Sequence, residues 1–235
     1  WGVIIKAEQK LLRIIETISQ LEDKRLSSKV SIGQGLNLTK SHIVYSQSSR
    51  TFPYYTSEIG PTYSWGNSSC YVSKDDISGS RKKPLLIMPR GIGTHFCSIN
   101  ECSGYTSSYV EVYGNLLQEE TLNIWLFCNS SLFWLLREIT GRTNLGGGML
   151  KAEATDLKSI PICYNFNKPS EILALYMAVK DKVIDTSILA TLNDNRHKMI
   201  DAIVLKFFGL DKEESYIVNT LQDMVFRRMK KSKTK

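Results

Sequence analysis

The sequence predicts an α+β protein: a mixed or antiparallel, twisted β-sheet body with packed helices, followed by an α-helical C-terminal subdomain. Three observations predict it. Residues 29–115 alternate short apolar or β-branched runs with turns rich in Ser, Gly, Asn and Pro. Residues 119–140 form a long apolar stretch without strand alternation, as a buried helix requires. From Pro169 onward the strand signals give way to helical ones. The expected divisions are a lead-in helix over 1–28, an α+β body over 29–168 and a helical tail over 169–235.

Each element has its own warrant. "KAEQKLLRIIETISQLEDKR" (6–25) spaces Leu11, Leu12, Ile14, Ile15, Ile18 and Leu21 along one face, with charges opposite, and predicts an amphipathic helix. The runs "KVSI", "HIVYS", "CYVS", "PLLIMP", "THFCSI" and "SYVEVYG" predict strands. Between them, the long loop 48–69 carries Phe52, Tyr54, Tyr55, Tyr63 and Trp65, rings expected mostly to pack over the sheet. "EETLNIWLFCNSSLFWLLREIT" (119–140) predicts one helix, with Glu119 and Glu120 at its positive end and Gly141 at its stop. "MLKAEATDLKSIPI" predicts one or two strands, with Pro161 at an edge. Three helical stretches follow: "PSEILALYMAVK", "TLNDNRHKMIDAIVLKFFGL" and "DKEESYIVNTLQDMVFRRMKKSK". Gly209 ends the second, and Asp211 is placed to cap the third.

With 42% hydrophobic and 23% charged residues the chain has a folded composition, and its +7 net charge favours an anionic partner. Cys70, Cys97, Cys102, Cys128 and Cys163 are scattered with no Cys-x-x-Cys, which predicts free thiols in a reducing cytoplasm and neither a disulfide framework nor zinc. His42, His95 and His197 form no metal pattern. The apolar window Leu122–Leu136 is broken by polar residues and too short to span a bilayer, so no membrane partner is expected. No leader follows Trp1, and the chain reads as a piece from the interior or C-terminal end of a longer protein.

Catalytic motifs are missing. There is no Gly-x-x-x-x-Gly-Lys-Ser/Thr loop, Gly-x-Ser-x-Gly elbow or His-Glu-x-x-His pair. The isolated pairs Gly33/Gly35 and Gly91/Gly93 read as turns, and "EATDLK" lacks the matched upstream acid of a metal nuclease. Binding features are clearer. "GSRKKPLLIMPRGIGTHF" sets Arg81, Lys82 and Lys83 before an apolar strand and Arg90 just after it, on a glycine turn where a guanidinium can reach a phosphate or a guanine edge.

Four segments in order carry a family resemblance. "LGGGMLKAEATDLKSIPI" resembles the closing segment of the target-recognition domain of adenine-specific DNA methyltransferases from bacterial restriction–modification systems, of Type IIG-like or Type I-like kind. "KVSIGQGLNLTKSHIVY" resembles that domain's opening strand and glycine turn, and "KPLLIMPRGIGTHFCSIN" its central segment. "ETLNIWLFCNSSLFWLLREITG" is similar to the helix before the glycine loop, where an Asn-Ser pair is usual. The tail "RHKMIDAIVLKFFGLDKEESYIVNTLQDMVFRRMKK" resembles the C-terminal helices of these enzymes, so the likeness spans about residues 29–231. The chain departs from the family in lacking its Asn/Asp-Pro-Pro-Tyr/Phe tetrapeptide and a recognisable S-adenosylmethionine loop.

The resemblance therefore implies a DNA reader without a catalytic site. Its partners would be double-stranded DNA and the catalytic methyltransferase domain of the same parent chain. S-adenosylmethionine would belong to the parent and no cofactor to this piece. The residues expected at DNA are Arg50, Lys82, Lys83, Arg90, His95, Arg142 and Lys151, with Gly146, Gly147 and Gly148 allowing close backbone approach. Two alternatives stay open: a recognition module of a Type I specificity subunit, and a protein-interaction domain whose basic charge is incidental.

Overall fold

Strand β9 (Tyr109–Tyr113) shows how the body is built. Period-2 alternation sends Val110 and Val112 to one face and Glu111 to the other, and all three are buried. A computed structural model describes residues 9–19, 30–57, 59–142, 149–158, 160–161 and 166–233, with the side chains of the last three outside that description. In it β9 lies between β1 (Ser31–Gln34) and β5 (Leu86–Pro89), and β7 (Ser98–Ile99) completes an antiparallel sheet of order β1-β9-β5-β7. The register aligns Ile32 and Leu86 with Val112, and Met88 with Val110, which gives one continuous apolar face. A second sheet, of order β2-β4-β3-β8, joins β2 (Ile43–Val44), β4 (Tyr71–Ser73), β3 (Thr51–Tyr55) and β8 (Tyr105–Thr106), and only its β3–β8 pair is parallel. A two-strand ribbon pairs β6 (Gly91–Ile92) with β10 (Leu150–Lys151). The fold is α+β, as the sequence predicts.

The apolar stretch 119–140 is two helices and not one. Helix α2 (Gln118–Cys128) stops at Asn129, and α3 (Ser131–Thr140) starts immediately after Ser130. The Asn129 amide explains the break. Its Oδ1 accepts from Cys97 N at 3.0 Å, and its Nδ2 donates to the carbonyls of Cys97 and Trp125 at 2.9 Å each. Ser130 then caps α3 by accepting from Phe133 N. A hydrogen-bonding side chain competes with the helix here, and apolar periodicity does not register that competition.

"MLKAEATDLKSIPI" also differs from the expected strands. Only Leu150–Lys151 pair, and α4 (Ala154–Lys158) follows, begun by Asp156 Oδ2 accepting from Glu153 N at 2.9 Å. Helix α1 (Gln9–Ser19) buries Leu11, Ile14 and Ile18, and the rest of the expected lead-in helix lies outside the described residues. Among the described residues the tail holds four α-helices: α5 (Pro169–Val179), α6 (Ile188–Asn193), α7 (Asn195–Phe207) and α8 (Glu214–Lys233). Asp194 divides the second predicted stretch, because its carboxylate caps α7 through Arg196 N at 2.8 Å. Gly209 ends α7 with φ +66°, a left-handed conformation that glycine adopts without strain. Asp211 sits inside a 3-10 turn, Asp211–Glu213, that leads into α8.

One apolar core runs from Leu11 to Val225, so the change of sequence texture near residue 168 is not a gap in packing. Every residue from Leu122 to Ile139 is buried, because α2 and α3 lie at its centre: α5 packs on α2, α8 on α3, and α7 against both. Trp125 makes edge contacts with Tyr63 and Tyr176, and Trp134 is stacked against both His95 and His197. Among the described residues no helix is long and apolar enough to cross a membrane.

A buried polar cluster ties the tail to the body. Glu138 on α3 accepts from Arg228 Nη2 and Nε on α8, at 2.8 and 3.1 Å, and from His95 Nε2 at 2.9 Å. Arg228 Nη1 donates to Ile92 O at 3.0 Å. Next to Glu138, the buried Arg137 donates to Pro89 O at 2.7 Å. Two adjacent residues of one helix thus hold both sides of the Pro89–Ile92 turn. Removing one member leaves a buried charge uncompensated, which typically costs about 3–5 kcal/mol. The variant Arg228→Met should lose stability of that order in urea unfolding, whereas Glu138→Leu combined with Arg228→Met should recover much of it. Unfolding curves of Arg228→Met that overlay those of the native chain would show that the pair does not anchor the tail.

Candidate nucleic-acid interface

The ribbon brings together three cations that are far apart in sequence. Arg142 and Lys151 exchange backbone hydrogen bonds of 2.9 Å in both directions, and Ala152 N donates to Arg90 O at 3.0 Å. Lys151 is therefore flanked by Arg142 on one side and by the Arg90–Gly91 turn on the other. All three side chains meet one carboxylate. Glu153 Oε1 lies 2.9 Å from Arg90 Nη2 and 2.6 Å from Lys151 Nζ, and Oε2 lies 3.2 Å from Arg142 Nη2. Arg142 also reaches Asp156 Oδ2 at 3.3 Å. The Lys151 ammonium, followed by the Arg90 guanidinium, pushes the Glu153 carboxyl down to about 2. The cluster is open, with the Arg142 side chain 55% exposed.

A second basic cluster surrounds Phe52. Lys83 Nζ and Lys74 Nζ lie 4.9 and 5.2 Å from the centre of its ring, a cation–π arrangement. Arg50 joins them through its carbonyl, which accepts from Lys74 N at 2.9 Å, and Lys82 is adjacent in sequence. Arg50, Lys74, Lys82 and Lys83 are all exposed. Asp75 and Asp76 follow Lys74, and Asp76 is paired with His42 Nδ1 at 2.9 Å. Arg81 is not part of this surface. It donates to Gln34 O and to the buried Glu111, both at 2.5 Å, and that carboxylate also accepts from the hydroxyls of Thr106 and Tyr113.

The seven residues expected at DNA therefore divide in three. Arg90, Arg142 and Lys151 converge; Lys83 lies over the Phe52 ring, with Arg50 tied to Lys74 through the backbone and Lys82 exposed beside Lys83 in sequence; His95 belongs to neither group. His95 is a correction: it is 2% exposed, hydrogen-bonded to Glu138 and stacked on Trp134 at 5.5 Å, so it cannot reach a ligand outside the core. Gly146, Gly147 and Gly148 lie outside the described residues. The expected loop 48–69 is a strand in its first part: Phe52, Tyr54 and Tyr55 lie on β3, and of the segment's five rings Tyr54, Tyr55, Tyr63 and Trp65 are buried while Phe52 stays half-open.

Two site residues were missed. Glu153 had a faint signal, since a strand places residue i+2 on the same face as i, and Glu153 follows Lys151 at that spacing. Lys74 had none, because only the pairing of β3 with β4 brings it to Phe52.

One cluster has the composition of a hydrolase site without its arrangement. Ser131 Oγ lies 2.8 Å from His197 Nε2 and 2.6 Å from Asp201 Oδ2. In a nucleophilic triad the imidazole stands between the other two, using both of its nitrogens. Here Asp201 binds Ser131 directly, and its Oδ1 accepts Ser131 N at 2.7 Å, capping α3. All three residues are buried. Among the described residues no group of three His, Cys, Asp or Glu side chains is placed to hold a metal ion. No protein-family model matches the sequence, and no curated protein matches it.

The buried histidines give the fold a pH dependence of known sign. Burial pushes His95 down to about 4, against the pull of the Glu138 hydrogen bond and with the help of the nearby Arg137 and Arg228 charges, and burial lowers His197 as well. Both are neutral in the folded chain and take up protons on unfolding. Their contribution is complete above the ordinary histidine value and is lost as pH falls below it, for His95 between about 6.5 and about 4. For His95 the loss is roughly 3 kcal/mol at its full extent. His95→Gln should flatten the decline between pH 7 and pH 4.5 measured by urea unfolding, and an unchanged slope would mean that His95 is not buried neutral.

Proposed function

We propose that this chain is a sequence-reading module for duplex DNA, of the kind found as the target-recognition part of adenine-specific DNA methyltransferases. The observation that carries this reading is the pair of basic clusters at the two ends of β5. Lys83 precedes that strand and Arg90 follows it. Seven chain steps separate their Cα atoms by at most roughly 25 Å, which is no more than about seven base pairs at ~3.4 Å per step. The lysines of the Phe52 cluster suit phosphates, which set register. The guanidinium groups of Arg90 and Arg142 suit phosphate or the O6/N7 edge of guanine.

In the parent enzyme the module would dock opposite a catalytic methyltransferase domain. The target adenine would flip into that domain, where S-adenosylmethionine supplies the methyl group. No residue of this chain is assigned to that chemistry. Its contribution is to hold the duplex in register. Among the described residues Cys97, Cys102 and Cys128 are free thiols, which fits the cytoplasm, where such an enzyme meets its DNA.

One observation favours a second reading, a protein-interaction module. Leu173 and Met177 stand one turn apart and exposed on α5, and Phe226 and Met229 are exposed on α8. On the DNA reading this outer tail faces the rest of the parent, and on the second reading it is the main surface.

Salt separates the two. Affinity of the chain for a duplex, followed by fluorescence anisotropy between about 50 and 200 mM salt, should fall steeply and linearly on logarithmic axes. Replacing Lys82 and Lys83 together by Ala should weaken binding to all sequences alike and reduce the slope by about 2. Salt-independent affinity, or none, would leave the interaction reading in place.

A further inference from the structure

We infer that Arg90, Arg142 and Lys151 form a binding site for a single phosphodiester group, and that Glu153 fills this site in the free protein as a built-in competitor. The inference deepens the DNA reading and takes from it only the source of the phosphodiester.

The geometry of Glu153 points to this. A carboxylate presents two oxygens sharing one negative charge on one carbon, much as a phosphodiester presents two on phosphorus, and both accept paired bonds from guanidinium groups. Here both oxygens are engaged from three sides. Oε1 takes Arg90 and Lys151 at 2.9 and 2.6 Å, and Oε2 takes Arg142 at 3.2 Å. The backbone of Glu153 is fixed separately: its N–H donates to Asp156, and its carbonyl accepts from Asp156 N and Leu157 N at 3.0 and 3.2 Å. The side chain can thus leave without disturbing α4. Exchange is inexpensive because the paired side chains are 21% to 55% exposed, where ion pairs contribute little net stability.

The charge count explains what the competitor does. Three cations face two carboxylates, Glu153 and Asp156, so the cluster carries a net charge of only +1 while Glu153 is in place. A phosphate that displaces Glu153 exchanges one anion for another, and few counterions are released. Random backbone contacts therefore gain little at this site. A phosphate is held there only when the rest of the surface is also engaged, which suppresses non-specific binding.

The test uses the whole chain and inorganic phosphate as the probe, followed through the NMR signals of the Arg90 and Arg142 Nε–H groups. Glu153→Gln should bind phosphate on the order of tenfold more tightly than the native chain, the upper range for a few exposed ion pairs. Asp223→Asn, which removes one exposed carboxylate on α8, changes the net charge equally and should leave phosphate affinity unchanged. Glu153→Ala should match Glu153→Gln, so the outcome does not hang on one substitution folding. No gain in either Glu153 variant, or an equal gain in Asp223→Asn, overturns the inference. With duplex DNA, the Glu153→Gln salt slope should be steeper by about 1. Tighter phosphate binding without duplex binding would keep the site and end the DNA reading. Duplex binding without a Glu153 effect would do the reverse.

Discussion

The arrangement depends on two adjacent residues at the buried end of α3. Arg137 holds Pro89 and Glu138 holds Arg228, which in turn holds Ile92, so the turn that carries Arg90 is fixed on both sides from within the core. A loop can be placed accurately only by groups that are themselves immobile, and these are among the most buried polar groups in the protein. Burial pushes the Glu138 carboxyl up, the His95 and Arg228 contacts pull it down, and the net shift is downward, so it stays ionised. The apolar tail is thereby coupled to the polar site. Helix α8, packed on α3, supplies Arg228, which reaches from the tail to the Ile92 carbonyl of the ribbon.

The two basic clusters are built differently, and the difference suits different tasks. Around Phe52 the lysines are long, exposed and backed by an aromatic ring, which favours sequence-independent contact with phosphate. On the ribbon the guanidinium groups are oriented by Glu153 and by the strand pairing of Arg142 with Lys151, so less freedom is lost when they engage a ligand. That orientation is obtained at the expense of net charge.

Much of this was legible in the sequence, and the failures share a cause. The α+β class, most of the strand runs, the buried helical region and the placement of Arg90 just after an apolar strand follow from local pattern, whereas the meeting of Arg90 with Arg142 and Lys151 follows only from strand pairing. Asn129 splitting α2 from α3, Asp194 opening α7 and Asp156 opening α4 do not, because each is a polar side chain claiming a backbone group that apolar periodicity assigns elsewhere. His95 was misplaced for a related reason. A histidine on a glycine-rich loop reads as exposed, and nothing local reveals a carboxylate and an indole forty residues further along the chain. Glu153 shows the converse: in the sequence it is one acid of "EATDLK", a segment set aside for want of a matched nuclease acid, and its role is seen only with its three partners around it.

The central claim is that the two clusters flanking β5 engage one duplex together. Titrating the isotope-labelled chain with a short duplex and following backbone and side-chain NMR shifts tests it most directly. Signals of Arg50, Lys82 and Lys83 should move in step with those of Arg90, Arg142 and Lys151, with one common affinity, while Met177 and Phe226 stay still. Shifts confined to the tail helices, or two clusters responding with unrelated affinities, would contradict it.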